Sequence, residues 1–268
     1  MAISALHSAA SGLSSLSTSL DVISNNLANM NTVGFKASRV NFEDLLYEQK
    51  AQPGVQNEES GFRPHGIQVG LGTRVSGTSI EFTQGDRIED PNPYSMAING
   101  EGFFRVQILS GLSEDGFGYT RAGNFSTNAD GELVLGTTSG PRLDPPINIP
   151  DGTTTTRISE TGGVYAVSGD GTEQQIGQVE LYNFANPSGL TQIGGNIYVE
   201  GVASGPNIPG NPGDISFGRI QHKFLESSNV TPTTELVTLI TTQRAFEMNS
   251  QTIKAADETL KVISNLKQ

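Results

Sequence analysis

Imidazole binds metals and moves protons near neutral pH, and the chain carries it at three positions, His7, His65 and His222. They lie in unrelated contexts, and none stands at ligand spacing from a second histidine or a carboxylate pair, so no metal centre is expected. No serine sits in a Gly-x-Ser-x-Gly elbow. Cysteine is absent, which removes thiolate nucleophiles, thiolate metal sites and disulfides. Gly70-Leu71-Gly72 and Gly100-Glu101-Gly102 look like fragments of phosphate loops. Neither is followed by a helical pattern or the Lys-Ser/Thr pair that a phosphate cradle uses, so both read as turns. Asn128-Ala129-Asp130-Gly131-Glu132 lacks the first ligand and the distal glutamate of a calcium loop, and reads as a hairpin connection. Among 28 acidic residues, nothing marks a glycosidase-type pair. Asn229-Val230-Thr231 fits a glycosylation sequon, discounted without a secretory signal. No catalytic, cofactor-binding or metal-binding residue is expected.

Composition narrows the classes further. With 16 Lys+Arg against 28 Asp+Glu, the net charge is -12. Such a chain is poorly suited to nucleic acid or to an anionic membrane surface, both of which select clustered cations. Apolar runs fall far short of a membrane span, so no direct membrane insertion is expected. Serines interrupt the apolar N-terminus and no basic segment precedes it, so it does not read as a secretory signal.

What the sequence does specify is elements. Leu6, Leu13, Leu20 and Leu27 recur every seven residues, and Ala9, Leu16, Ile23 and Met30 follow each by three. That is the seam of a helix lying along another helix. At the other end Leu236, Leu239, Phe246, Ile253, Ala256, Leu260, Ile263 and Leu266 keep three-four spacing. Asp21 is the one Asp, Glu, Lys or Arg before Phe35; the rest of the non-seam face is Ser, Thr, Asn and Ala. Gly12 and the serines weaken an isolated helix, Gly12 by about 1 kcal/mol. Two readings stand: a core helix of a monomer, or a segment that folds on assembly into a multi-subunit bundle.

Between the helices the chain is β-rich. Asn29, Asn31 and Gly34 suit left-handed geometry where the first helix ends. Phe42, Leu45 and Leu46 fall at helical spacing, and 51–64 reads as an extended loop or an irregular hairpin. Strands are expected at 66–75, 79–82, 119–126, 133–135, 156–159, 163–167, 176–184, 196–200 and 215–225, with 201–214 a surface loop. Met96, Ile98, Phe103, Phe104 and Val106 form the most apolar stretch. Pro232 precedes the last helix, which Thr233 or Thr234 would cap, with Glu235 in its first turn. The expected fold class is α+β: N- and C-terminal helices paired as a coiled coil, with an antiparallel β-rich middle domain. The expected division is 1–33 with 227–268 as the helical domain, 34–75 as an extended or hairpin connecting segment, and 76–226 as the β-rich domain.

Two signatures carry a resemblance. One is Ser24-Asn25-Asn26-Leu27-Ala28-Asn29-Met30-Asn31-Thr32-Val33-Gly34-Phe35-Lys36. The other is Ser228-Asn229-Val230, Glu235-Leu236 and Gln243-Arg244-Ala245-Phe246-Glu247-Met248-Asn249-Ser250. With Phe82-Thr83-Gln84-Gly85, Ala97-Ile98-Asn99-Gly100-Glu101-Gly102-Phe103-Phe104 and Tyr119-Thr120-Arg121-Ala122-Gly123-Asn124-Phe125, they resemble the bacterial flagellar rod and hook axial family over essentially the whole chain. Residues 46–75 look like its distal-rod members; proximal-rod members come next. Phe246 and Met248, and residues 91–95, depart from the family's usual pattern.

The resemblance implies a non-enzymatic, cofactor-free structural subunit of a helical tube around the export channel. Its partners would be copies of itself, proximal rod proteins, hook protein, surrounding ring proteins and the flagellar type III export apparatus. It would sit in the basal body, between the periplasmic space and the outer membrane, exported without a cleaved signal. The polymer interface would comprise Leu6, Leu13, Leu16, Leu20, Ile23, Leu27, Asn25, Asn26, Asn29, Gly34, Phe35, Leu239, Gln243, Arg244, Phe246, Asn249, Ile253 and Leu260. A rod-stiffening segment would include Tyr47, Gln52, Pro53, Gly54 and Pro64. The competing class is a β-rich hydrolase or carbohydrate-binding protein, which needs a cleft of convergent acids.

Overall fold

A computed structural model of the chain describes residues 2–53, 65–108, 111, 115–169 and 171–265. They are α+β: a helix at each end and antiparallel strands between. The chain forms two compact units.

The first unit takes Met1–Leu27, Ser38–Ser79 and Pro232–Gln268. It contains α1 (Ala2–Ala28), β1 (Ser38–Asp44), β2 (Tyr47–Ala51), β3 (Ile67–Gly70), β4 (Thr73–Ile80) and α2 (Pro232–Asn265). β1 pairs with β4, and β2 runs antiparallel to β3. The helical spacing of Phe42, Leu45 and Leu46 does not produce a helix. Cross-strand bonds hold that stretch extended: Thr73 Oγ1 donates to the Glu43 carbonyl at 2.9 Å, Ser76 Oγ to the Asn41 carbonyl at 3.3 Å, and Arg74 pairs with Glu43. Three weakly periodic residues cannot outweigh that pairing. The strand expected over 66–75 is two strands, turned at Gly72, whose φ of 116° suits glycine. Among the three residues expected to turn left-handed after α1, only Gly34 does so, at φ 69°. α2 begins at Pro232, where a missing N–H costs no helical bond, so it starts ahead of the expected threonine caps.

The second unit takes Ala28–Ala37 and Ile80–Thr231. Its strands are β5 (Arg87–Glu89), β6 (Met96–Asn99), β7 (Phe104–Gln107), β8 (Phe117–Thr120), β9 (Phe125–Thr127), β10 (Leu133–Leu135), β11 (Arg142–Asp144), β12 (Thr153–Ile158), β13 (Gly163–Ser168), β14 (Glu173–Gln178), β15 (Leu181–Asn183), β16 (Thr191–Gly194), β17 (Ile197–Val199), β18 (Ile208–Gly210), β19 (Arg219–His222) and β20 (Phe224–Glu226). A seven-stranded sheet runs β16-β17-β8-β7-β11-β10-β9. A three-stranded sheet runs β12-β13-β14, and β15-β18, β19-β6 and β20-β5 are ribbons.

Strand alternation divides the apolar residues into two cores. Phe104, Val106, Leu133, Leu135, Leu143 and Ile197 join one. Their chain neighbours Phe103 and Tyr198, with Tyr119, Tyr182, Phe184 and Leu190, join the other. There the rings meet edge to face, Tyr119 and Phe184 at 4.7 Å between centroids. Three expected strands are broken. Residues 119–126 part into β8 and β9, because Gly123 passes so close to the Met96 carbonyl that a Cβ would lie 1.5 Å from it. Residues 176–184 part into β14 and β15, and 215–225 into β19 and β20 at Lys223, left-handed at φ 61°. Within the expected loop 201–214, β18 pairs with β15. The expected hairpin joins β9 to β10, with Asn128 Oδ1 accepting from Asp130 N at 3.0 Å and Glu132 N at 2.8 Å.

Candidate assembly surface

α1 buries Ala9, Gly12, Ser15, Ile23 and Asn26, while Leu6, Leu13, Leu16, Leu20 and Leu27 are half-buried. Small residues therefore make the closest contacts. A Cβ on Gly12 would lie 3.1 Å from Asn249 Nδ2 of α2, so the two helices approach closely there. The serine face meets the β3–β4 turn. Ser8 Oγ donates to the Gly70 carbonyl at 3.4 Å, Thr73 N to Ser11 Oγ at 3.3 Å, and His7 Nδ1 lies 3.3 Å from the Leu71 carbonyl. Asn26 pairs with Ser38 as a strand would, accepting from its N at 3.0 Å and donating to its carbonyl at 2.9 Å.

α2 turns Leu239, Thr242, Asn249, Ile253, Ala256 and Leu260 inward at three-four spacing. Sequence reasoning passed over Thr242 because it is polar. Its hydroxyl donates to the Thr238 carbonyl at 2.7 Å, which hides the polar atom. Other hydroxyls do the same: Ser24 to Leu20 at 2.7 Å, Thr238 to Thr234 at 2.9 Å, and Thr252 to Met248 at 2.9 Å. These four hydroxyls have their hydrogens committed within the helix, so those positions can be covered without stranding a donor. Apolar side chains are also exposed on the other side of α2: Leu236, Val237, Ile240, Met248 and Val262, Val237 and Met248 each by 62%, while Phe246, on the inward three-four spacing, is 36% exposed. Gln243 and Arg244 are exposed as well.

Gly34 and Phe35 are buried in the β-rich unit. A Cβ on Gly34 would meet the Ala122 backbone at 2.6 Å, so that position requires glycine twice over. Tyr47, Gln52 and Pro53 are exposed, as are Leu46 (83%) and Ile67 on the same ribbon. Gly54, Pro64 and Leu266, and the side chain of Ile263, lie outside the described residues.

Among the described residues no group of three or more His, Asp or Glu is placed to hold a metal, and no helix is long and apolar enough to cross a membrane. Two open hollows mark the β-rich unit. One, about 600 Å³, is lined by Asn99, Gly100, Glu101 and residues 215–219; the other, about 430 Å³, by residues 84–87 and Asn99. Each is lined by one acid and one arginine, Glu101 and Arg219 in the first, Asp86 and Arg87 in the second, rather than by a carboxylate pair.

Comparison with known proteins decides between a structural role and a hydrolase. Three family models match: "Flagella basal body rod protein" at residues 6–36, "Flagellar hook protein FlgE/F/G D1 domain" at 97–166, and "Flagellar basal body rod FlgEFG protein C-terminal" at 221–266. The chain is 42% identical to the flagellar basal-body rod protein FlgG of Agrobacterium fabrum, covering 98% of this chain and 99% of that one. It is 41% identical to FlgG of Caulobacter vibrioides, again over 98% and 99%. To the FlgF rod protein of Caulobacter vibrioides it is 33% identical, over 85% and 83%. The chain belongs to the flagellar basal-body rod family. This rod protein is a structural subunit, not an enzyme, and its place is the flagellar basal body.

Proposed function

We propose that the chain is a subunit of the distal rod, polymerising into a stiff helical tube that carries torque from motor to hook and encloses the export channel. α1 and α2 pair as a coiled coil in the inner wall, and 76–226 forms the outer layer. Residues 34–75 connect the two. The higher identity and coverage with the FlgG relatives than with the FlgF relative support distal over proximal rod. Proximal rod proteins, hook protein, ring proteins and the type III export apparatus are the proposed partners. The β2–β3 ribbon, with Leu46, Tyr47 and Ile67 exposed, would lock against neighbouring copies and stiffen the shaft.

The observation that carries this reading is the two-sided apolar character of α2, where Thr238, Thr242 and Thr252 also bond their hydroxyls within the helix. A monomer gains nothing from exposing Val237, Ile240 and Met248; a tube buries them, each worth about 1.5–3 kcal/mol when fully covered. The test is Leu13→Asp. A buried carboxylate without a partner costs several kcal/mol, so this variant is expected to keep its β-rich unit, by circular dichroism, while forming no rods by electron microscopy and supporting no swimming. Normal rods from Leu13→Asp subunits would remove the helical seam from the interface.

A further inference from the structure

The chain leaving α1 and the chain entering α2 lie side by side within the β-rich unit. Gly34 N donates to the Glu226 carbonyl at 2.8 Å, and Asn229 N to the Phe35 carbonyl at 3.4 Å. Ala37 N donates to Asn229 Oδ1 at 2.7 Å, while Asn229 Nδ2 reaches the Glu81 carbonyl at 2.7 Å and Thr83 Oγ1 at 2.9 Å. Phe35, Ala37 and Val230 form a small apolar cluster of their own.

Three charged side chains are buried at this junction. Lys36 and Glu226 are 0% exposed and Arg121 is 4% exposed. Lys36 Nζ donates to Glu226 Oε1 at 2.6 Å and to the Thr83 carbonyl at 2.7 Å, and Gly85 N donates to the same Oε1 at 3.0 Å. Arg121 Nη2 donates to the Gly100 carbonyl at 2.7 Å, and its Nη1 stands 3.8 Å from Glu226 Oε2. Two cations thus share Glu226, and Glu101 acts on Arg121 as well. Burial pushes Lys36 and Arg121 below their ordinary pKa values, and Glu226 pulls each back up. Lys36, Arg121 and Glu226 fall one in each of the three segments matched by the family models.

A dry cluster of this kind rarely adds net stability over an apolar replacement, but removing Glu226 strands Lys36 and leaves Arg121 with Glu101 alone as an opposing charge. Its effect is therefore to make one arrangement of the two chain segments far better than any other. We infer that Lys36, Glu226 and Arg121, with Asn229, form a clasp that closes in the lone subunit and fixes the exit of α1 beside the entry of α2 before any neighbour arrives. The helices then need only to zip together from a set starting register. The clasp uses no residue of either helix, so it stands whether or not the tube reading does.

The test is hydrogen exchange with mass spectrometry on the dilute full-length chain. Peptides covering 34–37 and 225–230 are expected to be protected together, at the level of β12–β14. Glu226→Gln is expected to lower protection of both segments by about 100-fold, leaving β12–β14 unchanged. Lys36→Met is expected to do less, because Arg121 still faces the carboxylate. Should Glu226→Gln fail to fold, Asn229→Ala removes the side-chain bonds that tie Ala37, Glu81 and Thr83 to the second segment without stranding a charge, and both segments should lose protection together. The clasp is overturned if either segment in the wild-type subunit exchanges freely. It is equally overturned if one segment opens without the other in a folded variant, or if β12–β14 loosens as much as they do. Protected helices in the dilute subunit would count against assembly-driven folding and leave the clasp standing.

Discussion

At the scale of single residues, many polar side chains are bonded to backbone. His222 is one: its Nε2 donates to the Pro93 carbonyl at 2.7 Å. Burial pushes its pKa below the ordinary imidazole value of 6.5; Lys223 and Arg157 push the same way, and the Pro93 bond opposes them. The folded protein therefore takes up this proton less readily than the unfolded chain. Stability from neutral His222 is complete above pH 6.5 and is lost as pH falls below 6.5 through the folded value. In thermal unfolding followed from about pH 7 to about pH 5, wild type should lose its advantage over His222→Gln as the solution is acidified. A gap that widens on acidification would contradict this assignment.

At the scale of elements, the helices and the strand-rich middle were legible because periodicity reports burial. The seam leucines marked α1, and alternation at Phe103-Phe104 and Ile197-Tyr198 became two cores. What periodicity could not show is where small polar residues do the packing. Gly12, Ser15, Thr242 and Asn249 carry no hydrophobic signal, yet they lie on the inward faces. Strand breaks were hidden for a related reason: they arise from backbone approaches such as Gly123 to Met96, which no side-chain pattern encodes. Lys36 and Glu226 stand 190 residues apart, so only the folded chain could pair them. These small inward residues make a prediction at the level of the helix pair. Gly12→Leu improves intrinsic helix propensity by about 1 kcal/mol but drives a side chain into Asn249, where the present gap admits barely a methyl. Rod formation by electron microscopy should fail with Gly12→Leu, and partly recover when Asn249→Ala makes room. Equal assembly by both single variants and wild type would show that this approach of α1 to α2 is not used in the rod.

At the scale of the whole molecule, the ends and the middle differ in how much apolar surface they bury. The middle has two closed cores and buried tyrosines; burial raises the Tyr119 and Tyr198 pKa values to about 12. The ends expose apolar residues on α2 and rely on serine- and threonine-rich sequences that form helices poorly in isolation. A purified subunit at low concentration should therefore keep the β-rich unit folded while most of α1 and α2 exchange their amides within seconds. Raising the concentration until rods form should convert those amides to slow exchange, because each helix then gains neighbours that cover Val237, Ile240 and Met248. The same measurement separates the two readings the sequence left open for α1. A core helix of a monomer would be protected at every concentration, whereas a helix completed by its neighbours gains protection only as the tube appears.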